Sequence, residues 1–131
     1  MTLTKTNHLE FSAFINGISG RFILDTGASN TCIGFDRIGY FNLKSKESKI
    51  KAAGAGATDM ETLTSKKNTI EIGKWHHKKL KIVLFDLVHV NTALITHEAE
   101  PVDGIIGADV LNKARAIIDY KKKVLFLKIK K

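Results

Sequence analysis

A mostly β fold with one short helix near the C-terminus is what the order of residues predicts, on three observations. Apolar runs are short and divided by turn-forming residues, as strands require. Leu9, Phe11, Ala13 and Ile15 occupy alternate positions, and Asn16-Gly17 follows at once, a dipeptide that accepts the positive φ angles of a tight hairpin turn. A single proline, Pro101, and the lack of any low-complexity linker make residues 1–131 one domain.

The elements follow in order. After the first strand and its turn, the return strand is Ile18–Leu24, running into Asp25-Thr26-Gly27-Ala28-Ser29. Thr31-Cys32-Ile33 reads as a short strand. Lys49–Ala53 and Thr58–Leu63 flank Gly54-Ala55-Gly56-Ala57, whose glycines predict the tip of a mobile hairpin. Further strands are expected at Thr69–Ile72, Leu80–Phe85 and Ala93–Ile95. Ala108–Ala114 is the helix, with Ala108, Leu111 and Arg115 near one face by the i, i+3, i+4 rule. Ile117-Ile118 and Val124–Ile129 are the last strands, joined by a turn at Asp119–Lys123. In the final strand Leu125, Leu127 and Ile129 share one face, and Lys128 and Lys130 the other.

Composition narrows the function classes. Hydrophobic residues at 44% and charged residues at 26% are ordinary for a soluble globular protein. No apolar run approaches the ~20 residues of a spanning helix. Residues Met1 to Asn7 lack the apolar stretch of a secretory signal. Cys32 is the only cysteine, so no internal disulfide forms, and a reducing, cytoplasmic setting is expected. The net charge of +8 raises nucleic acid as a partner. However, the lysines cluster at Lys44–Lys51, Lys66-Lys67, Lys74–Lys81 and Lys121–Lys131, beside turns or alternating with apolar residues. No aromatic residues interleave as a base-stacking platform would need. Solvated strand faces are favoured, and no nucleic-acid or membrane partner is expected.

One motif carries chemistry. Phe22-Ile23-Leu24 is an apolar strand that delivers Asp25 to a tight turn, where Gly27 lets the backbone bend and Thr26 offers a hydroxyl to lock the loop. Alone, Asp-Thr-Gly is a weak signal, better read as an ordinary Asx turn ending a strand. The second element is Val102-Asp103-Gly104-Ile105-Ile106-Gly107-Ala108-Asp109-Val110-Leu111. Together with the Ile117–Tyr120 and Val124–Leu127 segments and the order of all these parts, it resembles the retropepsin-like aspartic proteases over roughly His8 to Lys128.

That resemblance implies a closed β-barrel of the acid-protease fold, working as a homodimer on a polypeptide substrate, without a cofactor or metal. The chain has one Asp-Thr-Gly, so the second carboxylate comes from an identical chain across a two-fold axis. In such a dyad the two carboxylates share one proton; one activates water and the other donates to the scissile carbonyl. By the same resemblance Asp25 is catalytic, Thr26 bonds across the axis, and Gly27 offers its carbonyl to substrate. Ala28, Ser29, Ile105 and Ile106 line the substrate site, together with Ala53, Gly54, Ala55 and Gly56 of a closing flap. The peptide lies as an added strand.

Two departures from the retroviral pattern stand out. Ser29 and Ala108 occupy places where many retroviral members carry an acid and an arginine that brace each other, so bracing here must come from elsewhere. Asp103 and Asp109 are assigned to turn formation and helix solvation. The histidines, His8, His76, His77, His89 and His97, have no zinc-site spacing. Cys32 reads as a buried structural thiol, and Gly54-Ala55-Gly56 lacks the Lys-Ser/Thr of a phosphate loop. The rival functions are a catalytically silent dimeric module that binds peptides and, behind it, a basic nucleic-acid binder.

Overall fold

The structure is a computed structural model describing residues 1–3, 8–44, 46–47, 52–54, 57–60, 62–96 and 101–129. Its strands are β1 (Thr2–Leu3), β2 (Leu9–Ile15), β3 (Ile18–Leu24), β4 (Cys32–Gly34), β5 (Lys46–Glu47), β6 (Ala52–Gly54), β7 (Ala57–Met60), β8 (Leu63–Ile72), β9 (Trp75–Phe85), β10 (Gly104–Ile106), β11 (Ile117–Asp119) and β12 (Val124–Phe126). Two helices, α1 (Val88–Thr96) and α2 (Ala108–Lys113), complete it. No described helix is long and apolar enough to cross a membrane.

The barrel is closed. Six strands follow one another in the order β2-β3-β10-β4-β9-β8, and β8 returns to β2 through Phe14↔Glu71 and Ile15↔Ile70. The β2–β3 hairpin turns at Asn16 and Gly17, with φ of 51° and 80°, the left-handed pair that a two-residue turn demands. Alternation then sends Ala13, Ile15, Phe22, Ile33, Ile70, Leu80, Ile82, Leu84 and Ile106 into one interior cluster. Phe41 and Val110 of α2 plug it, each fully buried. The short β1 and β5 extend the rim, pairing with β2 and β8. A separate ribbon pairs β6 with β7 through Ala52↔Met60 and Gly54↔Ala57, as the glycine-rich hairpin predicts. Ala55 and Gly56 of its tip lie outside the described residues.

Three local expectations are corrected. Ala93–Ile95 is not a strand but the last part of α1. Its β-branched sequence favours a strand, yet burial of Leu94 against Ile23 and Val102, with Val90 one turn away, selects the helix. Asp86 caps it, accepting the Val88 N–H at 2.9 Å. Arg115 is not on the α2 face: it lies past the helix end with φ of 48°. Strand pairing of the last segment stops at Phe126, and the Lys128 N–H instead donates to the Ala114 carbonyl at 2.7 Å.

Candidate active site

The short strand β10 positions everything. It lies between β3, to which it is parallel (Ile105↔Ile23, Ile106↔Leu24), and β4, to which it is antiparallel (Ile105↔Cys32). The chain leaves β3 at Leu24, and the Asp25 N–H still donates to the Ile106 carbonyl at 3.0 Å. Asp25 is therefore fixed by the barrel wall at its own backbone. Its carboxylate is oriented from the other side, since Oδ1 accepts the Gly27 N–H at 2.9 Å and the Asp25 carbonyl accepts the Ala28 N–H at 3.3 Å. The Asx turn anticipated for a lone Asp-Thr-Gly is thus present, and it aims a half-exposed carboxylate outward between exposed Thr26, Gly27 and Ser29.

The loop is clamped to α2 from beneath. The Ala108 N–H donates to the Ala28 carbonyl at 2.7 Å. Gly107 passes so close that a Cβ there would sit 2.6 Å from the Ala28 carbonyl oxygen and 2.8 Å from that of Asn30. Only glycine permits that approach. Gly104 meets a similar constraint against the Cys32 carbonyl. Fully buried Thr31 then ties the two segments: its N–H donates to Asp109 Oδ2 at 3.0 Å and its hydroxyl to Asp109 Oδ1 at 2.8 Å. The same hydroxyl accepts the Gly107 N–H at 3.2 Å. Asp109 also accepts the Val110 N–H at 2.8 Å, holding the first turn of α2.

This clamp revises the roles given to the two aspartates. Asp109 does not merely solvate a helix; it joins the loop that carries Ser29 to the helix that begins at Ala108. Asp103 accepts the Arg21 N–H at 2.9 Å and pairs with Arg37 at 2.7 Å, tying β10 to β3 and to the turn at Phe35–Arg37. The signal for Asp109 was its place at the start of a helix two residues after a glycine. The partner, 78 residues away, carries no mark in the sequence.

Of the predicted substrate-lining residues, Ala28 and Ile105 meet in one apolar cluster with Cys32, Val83, Phe85, Leu87 and Val90. Ile106 turns the other way into the barrel core and serves the site through its carbonyl. Ala53 and Gly54 lie on β6. Burial, with the negative charges of Asp109 and Asp25 adding to it, pushes the Cys32 thiol from its ordinary 9.0 up to about 12. The thiol stays protonated and is no nucleophile.

Similarity to other proteins agrees with this geometry. Residues 11–110 match the family model described as aspartyl protease. Among solved structures, the EIAV protease in complex with the inhibitor HBY-793 is 20% identical with a TM-score of 0.65, over 91% of this chain and 99% of that one. A retropepsin-like aspartic protease from Rickettsia conorii is 18% identical with a TM-score of 0.61, over 91% and 82%. The retroviral protease-like domain of Ddi1 from Leishmania major is 15% identical with a TM-score of 0.62, over 96% and 90%. No curated protein matches significantly. The fold is retropepsin-like.

Proposed function

This chain belongs to the aspartyl protease family, and from that premise we propose that it is an aspartic endopeptidase whose site forms between the Asp25 carboxylates of two identical chains. The observation that carries this reading is Asp25 itself. Its backbone is tied to β10, its carboxylate is oriented by the Gly27 amide, and its outer side is open. A loop held this firmly suits a group that must meet a second copy of itself at hydrogen-bonding distance. One carboxylate keeps the shared proton and donates it to the scissile carbonyl, and the other takes a proton from the attacking water. Thr26 braces the paired loops, Gly27 and the β6–β7 flap hold the peptide backbone, and the Ala28–Ile105 cluster receives an apolar side chain.

The surface that suits the dimer is the β11–β12 hairpin. Ile118 and Leu125 face inward against Leu9, Leu24 and Leu111. On the other face Ile117, 66% exposed, stands opposite Phe126, 52% exposed. Two such faces meeting on a two-fold axis cover apolar surface that a lone chain leaves in water. The single buried cysteine suits a cytoplasmic setting.

The test is hydrolysis of a diverse peptide library by the purified protein beside Asp25→Asn. Cleavage by the wild type, absent in a folded Asp25→Asn variant, is expected. Equal turnover in the variant refutes the Asp25 mechanism, and no cleavage by either protein leaves the silent peptide-binding module.

A further inference from the structure

The β8–β9 ribbon gathers lysines in a way the strand register alone explains. Between Ser65↔Ile82 and Asn68↔Leu80, β8 carries an extra residue, so Lys66 and Lys67 both stand opposite Lys81. Lys67 takes φ of 59° at this bulge. Between Asn68↔Leu80 and Ile70↔His77 the extra residue is on β9, so Lys78 and Lys79 stand opposite Thr69. Two successive bulges thus bring five lysines together. No acidic residue occurs in 65–70 or 77–82; the nearest on the ribbon is Glu71, opposite His76. Among the described residues the side-chain ion pairs are Arg21–Glu10 and Arg37–Asp103, and neither involves one of the five. Like charges set opposite one another on a sheet destabilise it, and such a concentration calls for an anionic partner.

Its position says which partner. Leu80, Ile82 and Leu84 point into the barrel, whereas Val83 and Phe85 point out and pack with Ala28, Cys32 and Ile105. Lys81 alternates with Leu80 and Ile82, so it shares the outward face with Val83, about 7 Å further along the strand. β4 runs parallel to β9 with Cys32↔Val83, and the Val83 N–H donates to the Thr31 carbonyl at 3.0 Å. Carried two residues back, past the start of β4 at Cys32, that register sets Lys81 toward Asn30 at the end of the catalytic loop. Lys81 is half-buried there, and the other four lysines are exposed beyond it. An extended peptide advances about 3.3 Å per residue.

We propose that this lysine cluster is a specificity site for acidic side chains of the substrate, two to four positions from the residue seated on Ala28. The proposal rests on the peptidase reading for its occupant but not for its charge. Trp75 and Phe85, the Trp and Phe of the ribbon, are both buried, so neither offers a base a stacking face.

Two peptides decide it, sharing an apolar centre and differing only in a flank of Asp-Glu or Ser-Gln. Their Kd values are measured on Asp25→Asn protein, and their kcat/KM values on the active chain, at low and high salt. At low salt the acidic peptide should bind and be cleaved about tenfold better, mainly through Kd and KM, with the advantage shrinking as salt screens the charges. In Lys81→Met, and in the combined Lys66→Gln, Lys67→Gln, Lys79→Gln chain, the ratio between the peptides should fall toward one. Equal binding of both peptides, or an acidic preference untouched by either variant, overturns the proposal. Tighter binding of a duplex oligonucleotide than of the acidic peptide reassigns the cluster to nucleic acid. Acid-selective binding that depends on the lysines, with neither peptide cleaved, supports the cluster and refutes the peptidase instead.

Discussion

Replacing Asp109 by alanine removes the acceptors of two buried donors at once. Thr31 is fully buried, and both its N–H and its hydroxyl end on the Asp109 carboxylate, at 3.0 and 2.8 Å. Truncation leaves both donors without their protein acceptor. A buried donor left unpaired costs about 1–3 kcal/mol, so the pair costs about 3 kcal/mol. The third bond, to the Val110 N–H, adds little because a helix start can turn to solvent. For a chain of this size about 3 kcal/mol lowers Tm by roughly 10 °C. Asp109→Asn should lose about half as much. Its oxygen still accepts the Thr31 N–H, while its amide donates to the hydroxyl and strands that proton. Thr31→Val should resemble it, by orphaning the Gly107 N–H. Urea titrations at one fixed protein concentration measure all three, and Asp109→Ala combined with Thr31→Val should cost clearly less than the sum. An Asp109→Ala chain within about 0.5 kcal/mol of wild type would mean that the clamp contributes nothing and that Ser29 and Ala108 are braced by other contacts.

Three further outcomes are expected. Gly107→Ala drives a methyl to 2.6 Å from the Ala28 carbonyl oxygen, so it should cost at least about 3 kcal/mol and abolish any hydrolysis; a soluble, fully stable variant contradicts the close approach. Phe126→Asp puts a charge on the exposed hairpin face and should shift sedimentation to monomer with loss of activity. A dimer that persists removes that face from the interface. Cys32 keeps its proton in the folded chain up to about pH 12 and loses it near pH 9 when unfolded. The folded state is therefore favoured in full below pH 9, and that contribution disappears as pH rises from 9 to 12. Alkaline denaturation should soften in Cys32→Ala, and alkylation at pH 8 should await unfolding.

What the sequence made legible was whatever local chemistry encodes. Asn16-Gly17 announces its turn and Asp25-Thr26-Gly27 its loop, because each needs particular residues in consecutive places, whereas the Val102–Leu111 segment stood out through the family resemblance. β8 and β9 were read as fragments because their bulges place lysines where alternation requires apolar residues. The last part of α1, Ala93–Ile95, was read as a strand because a short apolar run carries no helical period of its own, and the packing that selects the helix involves Ile23 and Val102. Asp109 was misassigned for a related reason: a carboxylate's partner across the fold is invisible until the fold exists. The apolar half of the site was legible through the family resemblance, and its charged flank was hidden in register.

The place of β10 also sets a schedule for the ribosome. β3 and β4 are each complete by Gly34, but they are held together only through Gly104–Ile106, about seventy residues later. Until that segment emerges, the Asp25 amide has no acceptor and the barrel has no wall between its second and fourth strands. Closing so long a loop for three residues of strand makes folding slow and late. The nascent chain therefore carries its carboxylate unassembled through most of synthesis. Pulsed hydrogen exchange should find the Asp25 amide among the last to be protected, after the β2–β3 and β8–β9 hairpins.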